Sequence, residues 1–128
     1  MNREIKFRGK WNSEEWAYGD LHLNCKHPHI HSSRGDMFYI SLETIGQFTG
    51  LTDKNGKEIY EGDIVEFIYC PKSLNQKVIA VVGVNKFNLW CALEGSEYHI
   101  ENTLHGEIIG NIHDNPELLN DNNNDSPM

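Results

Sequence analysis

The sequence predicts an all-β protein, a small SH3-like barrel with an amino-terminal β extension and one or two short helical turns. Three observations carry that expectation. Short runs rich in β-branched and aromatic residues recur along the chain, separated by turn signals. Two tight reversals, at Asn55-Gly56 and at Gly62, fall inside one stretch from Thr44 to Phe67. No amphipathic pattern is long enough for a helix of three turns.

That stretch reads TIGQFTGLTDKNGKEIYEGDIVEF. Ile45, Gln47 and Thr49 alternate with Gly46, Phe48 and Gly50, a mixture of β-branched and aromatic types that favours a strand. Asp53-Lys54-Asn55-Gly56-Lys57 is the strongest turn signal in the chain, because Gly has no Cβ and Asn tolerates the left-handed region. Ile59 and Tyr60 lead into Glu61-Gly62-Asp63, where Gly62 permits a conformation other residues resist. Ile64 to Tyr69 is a strongly β-forming run.

Upstream, Arg3 to Arg8 alternates charge with Ile5 and Phe7, predicting a strand with the two apolar residues inward. Arg3, Lys6, Arg8 and Lys10 then form a basic cluster, read as a solvated face rather than a phosphate-contacting edge. Trp11 to Trp16 reads as a hairpin loop, since Asn12-Ser13 favours a turn. His22 to His31, HLNCKHPHIH, holds four histidines and Cys25. On an extended strand His27, His29 and His31 share one face. Zinc takes such ligands, but the spacing matches no established zinc signature and Pro28 interrupts regular pairing. A solvated loop or hairpin arm is expected, and no metal is assigned. Ser32 to Asp36 is a loop. Met37 to Leu42 is apolar on both faces and is expected as a central strand.

Downstream, Pro71 to Gln76 is a polar connection, followed by two β-rich runs, Lys77 to Val84 and Lys86 to Leu93. Their β-branched residues suit a buried pleated surface. Phe87, Leu89 and Cys91 are expected on one face of the second run. Gly95-Ser96 makes a turn, Asn102 to Gly106 admits one helical turn, and Glu107 to Ile112 is the last strand. Asp114 to Leu118 is a turn or a single helical turn. The division expected is 1–52 as amino-terminal strands, 53–119 as the barrel-like part and 120–128 as a disordered tail.

The central stretch resembles the signature segment of the YopX protein family, found mostly in bacteriophages and prophages. Lys6-Phe7-Arg8-Gly9 followed by Trp16-Ala17-Tyr18-Gly19-Asp20-Leu21 is similar to that family's amino-terminal pattern. Ile108-Ile109-Gly110-Asn111-Ile112-His113-Asp114-Asn115-Pro116-Glu117-Leu118-Leu119 resembles its closing motif. The resemblance spans about residues 3 to 119. It implies a phage-type β-rich domain and brings no catalytic residue with it.

At 128 residues the chain is one domain by size, long enough to bury a core without disulfides. Residues 1–50 carry six Lys/Arg and six Asp/Glu, net zero; residues 51–128 carry five and thirteen, net −8. An acidic second half repels phosphate backbones, so nucleic acid is not the expected partner. Three cysteines without CxxC spacing and no secretory leader point to the cytoplasm. The longest apolar run, Val78 to Val84, is far short of the ~20 residues that span a bilayer.

Chemistry is sparse in the sequence. Ser13, Ser32, Ser33 and Ser41 stand in no nucleophile-elbow context, and there is no phosphate-binding loop or dinucleotide fingerprint. Cys91 reads as a core thiol. Asp53, Glu58, Glu61 and Asp63 cluster at the two turns, where carboxylates commonly bond their own backbone. Phe38, Tyr39, Tyr60, Phe67 and Tyr69 are candidates for a base-stacking groove, opposed by the acidic field. The expected function is a non-enzymatic module that contacts a protein partner, a second copy of itself included, without cofactor or membrane. A nucleic-acid-associated module is the alternative, and a metal enzyme using His27, His29 and His31 comes last.

Overall fold

The computed structural model describes residues 4–23, 26–70 and 75–119. Eleven strands are built: β1 (Phe7–Lys10), β2 (Trp16–His22), β3 (His29–His31), β4 (Met37–Tyr39), β5 (Gly46–Thr52), β6 (Glu58–Tyr60), β7 (Asp63–Tyr69), β8 (Gln76–Val84), β9 (Trp90–Glu94), β10 (Ser96–His99) and β11 (Glu107–Asn111). Two 3-10 turns, Leu42–Thr44 and Ile100–His105, and a single helical turn at 117–119 complete the described elements. The all-β class and the short helical turns are as the sequence predicts.

The strands form two antiparallel sheets, ordered β4-β3-β2-β1-β5-β6 and β10-β9-β8-β7-β11. Neither sheet closes on itself, so the expected SH3-like barrel is not formed; β10 and β11 stand at the two edges of the five-stranded ladder. The chain divides into two compact units, Met1–Gly50 and Leu51–Met128, with β5 running through the division. Among the described residues no helix is long and apolar enough to cross a membrane. The expected tail at 120–128 and most of the polar connection at 71–76 lie outside the described residues.

In the first unit β1 pairs with β2 from Phe7↔Gly19 to Lys10↔Trp16. Asn12 closes their loop, its Oδ1 accepting the N–H groups of Glu14 and Glu15 at 2.8 and 2.7 Å. β2 continues into β3, and β3 into β4, by further antiparallel pairing. Ala17, Ile30 and Ile40 are buried, with Phe7, Leu21, Phe38 and Ile45 packed against them.

Three expectations for this unit are corrected. The first strand begins at Phe7, and Ile5 is 61% exposed rather than inward. Arg8 and Lys10 are buried, not solvated, and their cations lie over the ring of Trp16. β4 is a three-residue edge strand rather than a central one, because it pairs with β3 on one side and no described strand pairs with its other side.

The second unit builds its core on alternate residues of paired strands. Val65 faces Ala80, Phe67 faces Val78, and Val82 faces Ala92, all on the face that also receives Ile59. Fully burying side chains of this size stabilises the fold by about 1.5–3 kcal/mol each. Phe67 and Tyr69 meet the Tyr98 ring edge-on, at 5.6 and 5.0 Å between centroids. The β8–β9 connection is longer than the sequence suggests. Residues 85–89 form the loop and β9 starts only at Trp90, so Phe87 and Leu89 stand outside the strand.

Candidate functional site

The acidic residues at the two turns satisfy backbone. Asp53 Oδ1 accepts the N–H groups of Asn55 and Lys57, both at 2.9 Å, and Oδ2 accepts that of Ile108 at 2.9 Å. Burial pushes this carboxyl up. The N–H groups of Ile108, Lys57 and Asn55, with the Lys57 charge, outweigh that and hold it below the usual carboxylate range. Asp63 Oδ2 accepts the buried N–H of Tyr60 at 2.7 Å. Glu58 accepts the Tyr60 hydroxyl at 3.3 Å. Asp53 and Asp63 are therefore committed to turn geometry, not to acid–base work.

The remaining signature residues act in the same way. Gly62 sits at φ 94°, donating its N–H to Val82 and accepting that of Ile112 through its carbonyl. In the closing motif Asn111 Oδ1 accepts the N–H groups of His113 and Asp114 at 3.0 and 2.9 Å. A Cβ on Gly110 would come within 2.6–2.9 Å of the Asn115 side chain, which would have to shift to admit it. These long motifs hold backbones in place.

The basic cluster is dispersed over rings. Arg8 Cζ stands 4.4 Å from the Trp16 centroid and Lys10 Nζ 5.5 Å, the latter also donating to the Ser13 carbonyl at 2.8 Å. Lys6 lies 5.1 Å over Phe48 and pairs with Glu4 at 3.3 Å. Arg3 lies outside the described residues.

The histidines gather differently from the expected run. His22 lies opposite His29 across β2 and β3, with ring centroids 5.0 Å apart and planes inclined by 2°. His31 closes the group at 4.4 Å from His22 and 4.9 Å from His29. His29 Nδ1 faces the His27 carbonyl at 3.1 Å, which fixes the proton on that nitrogen. His27 instead meets Tyr39 edge-on at 5.8 Å. Sequence spacing alone could not find His22, because its place depends on the β2–β3 register. Among the described residues no three His, Cys, Asp or Glu side chains are arranged to hold a metal ion; Cys25 lies outside them.

The candidate aromatic groove, which the acidic field opposed, does not assemble. Tyr60 and Phe67 are buried, while Phe38 and Tyr39 point to opposite faces of β4. Cys91 is buried, and burial together with the Glu97 charge pushes its thiol up, away from nucleophile chemistry.

Two of the large apolar side chains left exposed, as Leu42 and Ile5 also are elsewhere in the chain, stand together on the β8–β9 loop. Phe87 is 70% and Leu89 60% exposed. Their backbone is fixed by Asn85, whose Oδ1 accepts the N–H groups of Phe87 and Leu89 at 2.8 and 3.1 Å. Asn85 and Leu89 also bond N–H to carbonyl at 2.9 Å, and Asn85 Nδ2 donates to Glu97 at 2.7 Å. Asn88 turns the chain at φ 63°. Val84 and Leu93, 40% and 37% exposed, lie on the strands that carry this loop.

A family model described as YopX protein matches residues 3–120. Among solved structures the chain is similar to a crystal structure of protein EF1440 from Enterococcus faecalis, at 24% identity and a TM-score of 0.47, covering 92% of this chain and 99% of that one. Among curated proteins none matches.

Proposed function

This chain belongs to the YopX protein family, and we propose that it is a non-catalytic protein-interaction module of phage or prophage origin that docks through residues 84–89. The observation that supports this reading is the pair Phe87 and Leu89, held out to solvent on a backbone already ordered by Asn85. An apolar anchor on a fixed loop loses little freedom when it enters a partner's pocket, which is how a few residues come to dominate an interface. Glu97, bonded to Asn85, and Lys86, 5.3 Å over the Phe87 ring, put one charge of each sign beside the anchor, so the partner's surface carries polar groups of both signs around an apolar pocket.

A photoreactive residue in place of Phe87 tests the proposal in cells that carry the parent phage or prophage. One discrete crosslinked product is expected, either with another protein or with a second copy of this chain. Its loss in a Leu89→Ala background at unchanged thermal stability completes the case. A monomer by light scattering that crosslinks to nothing overturns it.

The amino-terminal nucleic-acid reading draws no support from Arg8 and Lys10, both buried.

A further inference from the structure

The face of β2, β3 and β4 opposite the Ala17–Ile30–Ile40 core is unusual for a solvated sheet surface. Alternation ordinarily places small polar or charged residues there. Here it places Tyr18 and His22 on β2, His29 and His31 on β3, and Tyr39 on β4. Five planar rings thus share one face, with Tyr18 46% and Tyr39 59% exposed. Tyr39 stands edge-on to His29 at 6.0 Å, and His29 continues through His22 to His31 at centroid spacings of 5.0 and 4.4 Å.

At the His31 end the row opens into a cleft of about 270 Å³. Lys6, Tyr18, Asp20, His31, Ser32 and Ser33 line it. Gly19 also lines it, at φ 151°, held against the His31 backbone where a Cβ would collide with the His31 carbonyl. The volume lies just below the ~300–1,000 Å³ of sites for drug-sized ligands, so it suits one ring-sized unit.

We propose that this face binds a neutral linear polysaccharide, with one sugar ring in the cleft and the following rings passing along the imidazole edges toward Tyr39. The exposed rings of Tyr18 and Tyr39 offer surface to the flat C–H faces of a pyranose, while His22 and His29, stacked on each other, turn their ring edges to its hydroxyls. Around them the cleft mixes acceptors and donors. Asp20 offers carboxylate oxygens to vicinal hydroxyls. The Ser32 hydroxyl accepts N–H groups from Arg34 and Asp36 at 3.3 and 3.2 Å, and its own hydrogen remains to donate.

The charge balance favours a neutral chain over a nucleic acid. Lys6 is paired with Glu4, and Asp20 repels a phosphate inside the cleft.

The test is heteronuclear NMR on the full chain, titrated separately with maltohexaose, cellohexaose, chitohexaose and a single-stranded thymidine oligonucleotide. At least one sugar is expected to shift the amides of residues 18–22, 29–33 and 37–39, with a dissociation constant near about 1 mM. Tyr18→Ala and Tyr39→Ala, both at exposed positions, should each weaken that binding about tenfold, the loss typical of one stacking platform. Their amide dispersion reports whether they remain folded. Phe87→Ala should leave sugar binding unchanged. Silence with all three sugars at about 10 mM, shifts with the oligonucleotide alone, or unaltered affinity in both folded tyrosine variants overturns the proposal.

Discussion

Asp53 Oδ2 accepts the backbone N–H of Ile108 at 2.9 Å, joining the hairpin turn after β5 to an edge strand 55 residues further along. The same carboxylate holds two N–H groups of its own turn, and Lys54 N–H bonds the Gly106 carbonyl beside it at 3.0 Å. Removing the side chain strands three donors at once. Asp53→Ala is therefore expected to destabilise the protein by about 3 kcal/mol, given ~1.5–3 kcal/mol for bonds to a charged group. Urea unfolding measures it. Glu61→Ala, in the same acidic cluster, is the control and should stay within roughly 0.5 kcal/mol of the parent. Equal losses would mean that the cluster acts through its charge and not through these bonds.

The depressed ionisation of Asp53 gives that contribution a pH dependence. Burial opposes its charge, and the Ile108, Lys57 and Asn55 N–H groups more than offset it. The folded value lies below the unfolded one, so the folded state binds fewer protons. The stabilisation is fully present above the ordinary carboxylate value of about 3.9 and is lost as pH falls through the lower folded value. The difference in stability between the parent and Asp53→Asn should hold constant from pH 7 to about pH 5 and shrink below about pH 4. A difference that grows on acidification would contradict the assignment.

Among the described residues Gly9, Gly19, Gly106 and Gly110 each stand where a Cβ would come closer than 3.0 Å to a neighbour, and Gly19 and Gly110 contrast what that neighbour can do. At Gly19 a side chain meets the His31 backbone at φ 151°, and at Gly110 it meets Asn115. The first neighbour is backbone and cannot swing away. Gly19→Ala is expected to lose about 3 kcal/mol or more, and Gly110→Ala about 1–3 kcal/mol because Asn115 can partly yield. Gly35, where a Cβ meets nothing but φ is 91°, gives the comparison for backbone strain alone. Its alanine variant should lose less than Gly19→Ala in thermal unfolding.

Local turn chemistry was legible because it is written in adjacent residues. Asn55-Gly56 reverses the chain where predicted, and Gly62 takes its positive φ because the next strand must begin at Asp63. Pairing was not legible. Met37 to Leu42 looks central from its apolar faces, yet among the described strands β4 pairs only with β3, a pairing that the Ile40 N–H extends to the Pro28 carbonyl at 3.1 Å. Arg8 and Lys10 look solvated because their charge is local, while the ring of Trp16 that covers them arrives through the β1–β2 register. Phe87 and Leu89 share a strand period with Cys91, but one Asn85 oxygen gathers two N–H groups and makes a loop instead. The histidine group failed for the same reason, since His22 joins it only across strands.

Cys70 and Cys91 separate the two environments a thiol meets in this fold. Cys70 is exposed and Cys91 is 2% exposed. Burial and the nearby Glu97 push the Cys91 thiol up, leaving less of the reactive thiolate at neutral pH. In a Cys25→Ser background, Cys70 should react with a thiol reagent at once and Cys91 only on unfolding. Labelling of Cys91 under native conditions at the rate of Cys70 would show that β9 opens locally.

Asn85 is the residue on which the proposed docking loop depends. Asn85→Ala removes the acceptor for Phe87 and Leu89 N–H and the donor to Glu97, all in exposed positions, so the expected loss is about 1 kcal/mol. Capture of the partner should suffer more than stability does, since the loop must then be ordered at the moment of docking. Phe87→Ala should show the reverse balance, with stability within roughly 0.5 kcal/mol of the parent and crosslinking at Leu89 abolished. Calorimetric unfolding and crosslink yield, read on the same two variants, separate an ordered anchor from an exposed residue that touches nothing.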